Sequence, residues 1–244
     1  ETAKVLKKGT GEKVDKNATL KVNYVGVNGR TGKEFDSSYK RGTTADFPLA
    51  QVVPGFAKGL VGKHQGDRVL IMMPGSDGYD SQGGAPQAGI MKGDSLIFVV
   101  DIVAIPLPKA TGETVKPAAG LPTVKEVQGA PAVTIGKATK PNKLVVQPLI
   151  KGKGAAVTAH DSIDVKYRTY AWSSGELIED GYSGEPVTGS MNSVIPGWKK
   201  GLIGQTVGSR VMLIVPPADA YPNGSTNPPV KKGETLIYVI DILS

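Results

Sequence analysis

The sequence predicts an α+β protein made of two copies of one domain, each an antiparallel sheet wrapped over one short helix. Three observations predict it. First, long motifs return in the same order. Pro54-Gly55-Phe56-Ala57-Lys58-Gly59-Leu60-Val61-Gly62 comes back as Pro196-Gly197-Trp198-Lys199-Lys200-Gly201-Leu202-Ile203-Gly204. Leu96-Ile97-Phe98-Val99-Val100-Asp101-Ile102 comes back as Leu236-Ile237-Tyr238-Val239-Ile240-Asp241-Ile242, and Val22-Asn23-Tyr24 as Val165-Lys166-Tyr167. These offsets of 142, 140 and 143 residues far exceed the roughly 20–50 of a solenoid repeat, so the unit that repeats is a domain. Second, each copy carries several stretches of strand periodicity and a single helical one. Third, 32 glycines and 18 prolines among 244 residues favour many turns between short strands.

The elements of the first copy follow in order. An extended stretch around Ala3–Lys7 leads to a turn at Gly9-Thr10-Gly11. Thr19 to Val25 alternates polar and apolar, the period-2 mark of a half-buried strand. Asn28-Gly29 and Thr31-Gly32 are turn dipeptides, after which Lys33-Glu34-Phe35-Asp36 is extended again. Gln51 to Val61 reads as the only good helix, with Pro54 suited to its first turn and Gly62 to its stop. Arg68–Met73 is a strand, residues 74–89 form a polar loop, and Ser95–Ile105 is the apolar final strand. The second copy repeats the order, with its helix at Val194–Ile203, its loop at 216–232 and its last strand at Thr235–Leu243.

This divides the chain into a first domain over 1–105, a proline-rich connector over 106–146 and a second domain over 147–244. Within the connector, Val124–Val127 and Ala132–Ile135 have the composition of short strands, and part of the segment is expected to dock on one domain.

Composition excludes several kinds of chemistry. No cysteine is present, which removes disulfides, thiol catalysis and Cys-based metal sites. The two histidines, His64 and His160, lie outside the repeated motifs and near no cluster of ligands, so zinc hydrolysis and Ser-His-Asp catalysis are poor fits. No metal and no cofactor is expected. The net charge of +7 is uneven. Residues 106–148 carry six lysines against two acids, while 149–244 are balanced. A basic connector suits either a solvated linker or weak contact with an anionic envelope surface. Nucleic acid binding is not expected, because the aromatics sit inside the repeated motifs rather than interleaved with the basic residues. No apolar run approaches the ~20 residues of a membrane span, and the chain shows no targeting segment.

Phe35-Asp36-Ser37-Ser38, then Arg41, Phe47-Pro48-Leu49, Val52-Val53-Pro54-Gly55-Phe56-Ala57-Lys58-Gly59-Leu60, Tyr79 and Leu96-Ile97-Phe98 together resemble the FKBP family of peptidyl-prolyl isomerases. The second copy shows the central stretch as Val194-Ile195-Pro196-Gly197-Trp198, the more usual form for that family. The resemblance covers both copies. It implies a bent antiparallel sheet around a short helix, with a pocket between them. Carried over position by position, it implies a pocket lined by Tyr24, Phe35, Asp36, Arg41, Phe47, Val52, Val53, Phe56, Tyr79, Ile90 and Phe98. Phe56 would be its floor, and the Val53 N–H and Tyr79 hydroxyl would bind substrate carbonyls. The residues taken to carry catalysis are Asp36, Tyr79, Val53 and Phe56. Taken singly, Tyr24, Phe35 and Phe98 read as plain core, Asp36 as a turn or cap residue, and Tyr79 as a surface tyrosine. Only their joint order and spacing point to a site.

These residue types suit the reaction. A peptide bond resists rotation by ~18–20 kcal/mol because resonance keeps it planar, and X-Pro isomers exchange in roughly tens to hundreds of seconds. No bond has to break. A dry aromatic pocket fits the prolyl ring and disfavours the polar planar amide relative to the twisted one, while a few fixed polar groups orient the chain.

The copies differ. Phe56 stands where Trp is usual, still a flat aromatic floor. The second-domain pocket, by the same carry-over, comprises Tyr167, Ile178, Glu179, Val194, Ile195, Trp198, Tyr221 and Tyr238. There Ile178-Glu179-Asp180-Gly181 replaces the FDSS stretch, the Phe47 position aligns with Gly189, and Arg41 has no clear counterpart. The first copy is therefore expected to be the better isomerase. The competing reading is a non-catalytic module or holdase chaperone whose tandem clefts hold proline-containing polypeptides and gain avidity through the linker. The loops 74–89 and 216–232 are short and polar, which counts against an inserted chaperone domain. The resemblance also implies binding of macrolides such as rapamycin or tacrolimus, most strongly by the first copy. It favours a monomeric, exported or envelope-associated bacterial protein.

Overall fold

In the computed structural model, which describes residues 2–244, the chain divides into one unit ending at Pro106 and a second spanning Leu107–Ser244. The first contains β1 (Thr2–Lys7), β2 (Thr19–Asn28), β3 (Glu34–Ser37), α1 (Ser38–Arg41), β4 (Ala45–Pro48), α2 (Pro54–Leu60), β5 (Arg68–Met73), the two-residue strands β6 (Gly84–Ala85) and β7 (Ile90–Met91), and β8 (Leu96–Ala104). Its main sheet runs β1-β5-β8-β2-β3, with β4 also paired to β2. Every pairing is antiparallel.

The alternation in β2 does what its pattern predicts. Leu20, Val22 and Tyr24 are buried while Lys21, Asn23 and Val25 between and after them are half-exposed, because successive side chains of a strand point to opposite faces. They meet Val69, Ile71, Phe98 and Val100 from the central strands, and Phe56 and Leu60 from α2, in one core. Two glycines set how closely the helix approaches the sheet. A Cβ on Gly55 would lie 2.6 Å from the Met73 sulfur, and one on Gly59 would lie 2.8 Å from Ile71 Cδ1.

The helix is shorter than its sequence pattern suggests. Val53 has φ −58° and ψ 146°, since a residue before proline is pushed out of the helical region. Helix α2 therefore starts at Pro54. It is also not the only helix. Ser37 caps a single turn, its side chain accepting from the Lys40 N–H, and Gly42 closes it at φ 70°.

The second unit contains β9 (Glu113–Thr114), β10 (Thr123–Val127), β11 (Ala130–Thr134), β12 (Val145–Lys151), β13 (Ser162–Ala171), β14 (Leu177–Asp180), β15 (Val187–Ser190), α3 (Pro196–Leu202), β16 (Arg210–Val215) and β17 (Leu236–Ile242). Its sheet runs β14-β13-β17-β16-β12-β9, with β15 paired to β13. Here too the pattern overstates the helix at both ends, and Ile195, before Pro196, is extended like Val53.

The segment 106–146 is no free connector. From Leu107 onward it belongs to the second unit. The Leu107 N–H donates to the Leu243 carbonyl, β9 extends the sheet beyond β12, and β10 and β11 form a hairpin. Leu121, Val124, Val133 and Ile135 pack on a second apolar cluster made of Tyr170, Met212, Ile214, Ile237 and Val239. The sheet is thus covered on both faces. All of β16 and β17 is buried, whereas β5 and β8 keep an alternating pattern with Met72 exposed. Among the described residues no helix is long and apolar enough to cross a membrane.

Candidate active site

The first unit holds a cleft of about 290 Å³ between its sheet and the start of α2. Tyr24 and Phe98 reach it from the sheet interior, Phe35 and Asp36 from β3, Phe47 from β4, Val52, Val53 and Phe56 from the helix start, and Tyr79 from the loop after β5. The rings form a continuous apolar wall. Phe56 lies 4.4 Å from Phe98 and 4.9 Å from Phe47, centroid to centroid, and Phe47 lies 5.1 Å from Tyr24. Phe35 meets Phe98 edge-on at 5.5 Å. The offset and edge-on contacts are those aromatic quadrupoles favour. Gly26 permits this packing, since a Cβ there would stand 2.7 Å from both Phe35 and Phe98.

One charge faces this wall. The Asp36 carboxylate accepts from the Tyr24 hydroxyl and from the Arg41 guanidinium, which also donates to Tyr24 Oη at 3.1 Å and stacks over its ring at 5.6 Å. Burial pushes Asp36 up, but the hydrogen bonds from Tyr24 and Arg41 with the arginine charge outweigh it and hold the carboxyl below its ordinary range. Burial raises the Tyr24 hydroxyl, reinforced by its bond to Asp36. Burial raises Tyr79 as well, with the Asp36 charge adding to it.

Two donors remain open. Among the described residues, neither the Val53 N–H nor the Tyr79 hydroxyl makes a hydrogen bond. Tyr79 is fixed from behind instead. Its carbonyl accepts the Gly84 N–H at 2.9 Å, and the 3₁₀ turn ahead of it is tied to α2 by Lys58–Asp77. A ligand carbonyl is the natural partner for such unpaired donors.

Most residues expected at the cleft are brought together there, with two departures. Ile90 is fully buried in the core beside the cleft. Arg41 stands outside the lining and reaches the cleft through Asp36 and Tyr24. Gln51 and Gln82 also line the cleft, beyond the residues the resemblance implies. Gln51 directly precedes the Val-Val-Pro-Gly motif, which could have flagged it, while nothing in the loop sequence marks Gln82. Among the described residues no three His, Cys, Asp or Glu are grouped to hold a metal ion.

The second unit repeats the arrangement with altered chemistry. Trp198 meets Tyr167 at 5.1 Å and Tyr238 at 5.5 Å, both edge-on. Glu179 accepts from the Tyr167 hydroxyl at 3.3 Å and from the Thr169 hydroxyl at 2.9 Å. Val194, Ile195, Ile178 and Tyr221 pack against the same core. Gly189 pairs with Ile163 as Phe47 pairs with Leu20, so the aromatic wall is missing on that side.

The titration directions carry a prediction. A carboxyl whose folded pKa is depressed keeps its charge, and the ion pair that shapes the cleft, until the pH falls through that lowered value. The tyrosines stay protonated beyond their ordinary ~10. The kcat/KM for a prolyl peptide is therefore expected to be flat from about pH 5 to about pH 9. A profile with a midpoint near neutrality would show that another group titrates in the reaction.

A family model described as FKBP-type peptidyl-prolyl cis-trans isomerase matches residues 10–103 and again 153–243. A probable FK506-binding protein of Corynebacterium glutamicum is 35% identical over 97 residues, covering 39% of this chain and 79% of that protein. An FK506-binding protein of Streptomyces anulatus is 39% identical over 99 residues, covering 40% and 79%. The isomerase FkpA of Escherichia coli is 36% identical over 107 residues, covering 43% of this chain and 38% of that one. Its crystal structure matches at 33% identity with a TM-score of 0.39, over 42% of this chain and 46% of that one.

Proposed function

Because the chain belongs to the FKBP-type peptidyl-prolyl cis-trans isomerase family, we propose that its first unit rotates X-Pro bonds of folding polypeptides within the cleft of Phe35, Phe47, Phe56 and Phe98. The observation that carries this reading is the pair of open donors, Val53 N–H and Tyr79 O–H, at an aromatic cleft whose single charge is already paired. The prolyl ring packs on the Phe56 floor. The donors hold the flanking carbonyls, and the apolar wall disfavours the planar, charge-separated amide more than the twisted one. Water is kept out by the rings, so the few polar contacts act at low dielectric. Macrolides such as rapamycin or tacrolimus fit the same cleft and would compete with peptide.

The second unit is the weaker catalyst in this reading, since Gly189 in place of Phe47 opens its pocket to water. Phe47→Gly in the first unit tests the importance of that wall. Truncating a half-buried ring removes about 2 kcal/mol of apolar contact, so kcat/KM should fall about 30-fold and tacrolimus inhibition should weaken with it. Unchanged turnover would mean the reaction happens elsewhere.

An exported or envelope-associated setting belongs to the same reading, as does weak contact of residues 106–146 with anionic surfaces. The six lysines against two acids there support it. Cosedimentation with phosphatidylglycerol vesicles at low salt measures that contact, and no enrichment over neutral vesicles removes it.

A further inference from the structure

In the first unit the cleft carboxylate has a cation. Helix α1 carries Arg41 five residues after Asp36 and turns its guanidinium onto that carboxylate. In the second unit the carboxylate remains but its cation is gone. Five residues after Glu179 stands Gly184. The turn corresponding to α1 is not helical, and among the described residues no ion pair includes Glu179. Lys200 of α3 is turned to Asp219 at 2.6 Å. Glu179 is instead held by two neutral hydroxyls. One of them, Thr169, occupies the position of Gly26, where the first unit's packed rings exclude any side chain. Its partly buried carboxylate is thus fixed in place by neutral groups alone, with no cation paired to it.

Two further observations concern the same place. The Trp198 indole N–H is buried without a partner, on a side chain only 8% exposed. A Cβ on Gly189 would meet only Val194 Cγ1, at 3.6 Å, so the side closed by Phe47 in the first unit has room. The Glu179 charge is also felt at three hydroxyls. After burial, it contributes to raising Tyr167, to about 12, and Tyr221 and Tyr238.

We propose that the second-unit cleft takes a lysine or arginine side chain of a bound polypeptide, paired with Glu179 and set among the rings of Tyr167, Trp198 and Tyr238. The proposal rests on the reading of this cleft as a peptide site and gives it a ligand class. A fixed carboxylate offers a charge-assisted hydrogen bond, and aromatic faces attract a cation. The added width at Gly189 admits a long side chain where the first unit closes on a ring. The tandem clefts would then read different features of one client, proline in the first and a basic residue in the second.

The test uses the full chain carrying Trp172→Phe, which leaves Trp198 as the single tryptophan, so its emission reports on the second unit. The probes are an acetylated, amidated Ala-Ala-Lys-Pro-Ala-Ala peptide and its twin with norleucine in place of lysine. The lysine peptide should bind at least about tenfold more tightly at low salt. That lead should fall to within about twofold in Glu179→Gln and in Gly184→Arg, which restores the cation. Gly184 is exposed with no atom within 4 Å of its would-be Cβ, so the second variant stays informative if Glu179→Gln fails to fold. Equal binding of the two peptides, or a preference that survives both substitutions, overturns the charge preference and leaves the peptide site standing. No binding of either peptide overturns the peptide-site reading together with the proposal.

Discussion

Replacing Asp241 with Asn should destabilise the second unit by about 3–5 kcal/mol, whereas Asp101→Asn in the first should cost less than about 1 kcal/mol. The two aspartates occupy the same place in the repeat, and each is paired with the arginine on the neighbouring strand. Arg68 and Asp101 have side chains 47% and 25% exposed, and their interaction is shared with water. Arg210 and Asp241 have fallen to 9% and 1%. The hairpin of β10 and β11 covers them, with Glu126 reaching Arg210 at 3.3 Å, and the Ala110 N–H donates to Asp241. Removing Asp241 under that cover leaves the buried Arg210 charge with only the half-exposed Glu126, 3.3 Å away, to offset it. Denaturant melts of the full chain, with hydrogen exchange followed separately in β8 and β17, measure both costs. Equal losses would mean that the hairpin does not exclude water from the pair. The double change Arg210→Met with Asp241→Leu should recover most of the loss, because well-packed apolar groups replace a buried pair at little cost.

The second large effect falls on activity. Asp36→Ala combined with Tyr79→Phe should lower kcat/KM for a prolyl peptide on the order of 10²-fold, about 2.7 kcal/mol. Tyr79→Phe removes an open donor without changing the ring. Asp36→Ala frees Arg41 and the Tyr24 hydroxyl from their shared partner and admits water to the rim. Each loss at these partly buried polar groups is worth about 1–2 kcal/mol, and the two groups are close enough that their effects need not add. The fold should survive, since neither side chain belongs to the buried core. A Michaelis constant that rises while kcat holds would assign both groups to binding alone.

How far the sequence reveals these features depends on the range of the interaction involved. The repeat, the strands and the helix of each unit are local patterns, and they appear close to where the periodicity puts them. The helix starts at Pro54 instead of Gln51 because proline constrains the residue before it, a local rule that the apolar pattern masks. The turn at Ser38–Arg41 is too short to show periodicity, though the cap at Ser37 and the Gly42 stop are visible once sought. The fate of residues 106–146 is different. Val124–Val127 looks like a strand in the sequence, but nothing there says which sheet face it covers. Leu70 and Met72 look like Met212 and Ile214, yet only the second pair is fully buried. In the cleft, the motif identified most of the wall. Ile90 is core because the short β6–β7 pair carries it into the apolar cluster, and Gln82 enters the cleft through the turn that also presents Tyr79.

The most direct test of the account is protease-coupled isomerisation of an Ala-Leu-Pro-Phe-type peptide by three forms of the full chain: unaltered, Asp36→Ala with Tyr79→Phe, and Glu179→Gln with Tyr221→Phe. The account predicts clear acceleration by the unaltered chain, its near loss in the first variant, and little change in the second. Acceleration that persists in the first variant and disappears in the second would place the isomerase in the other unit and contradict the account.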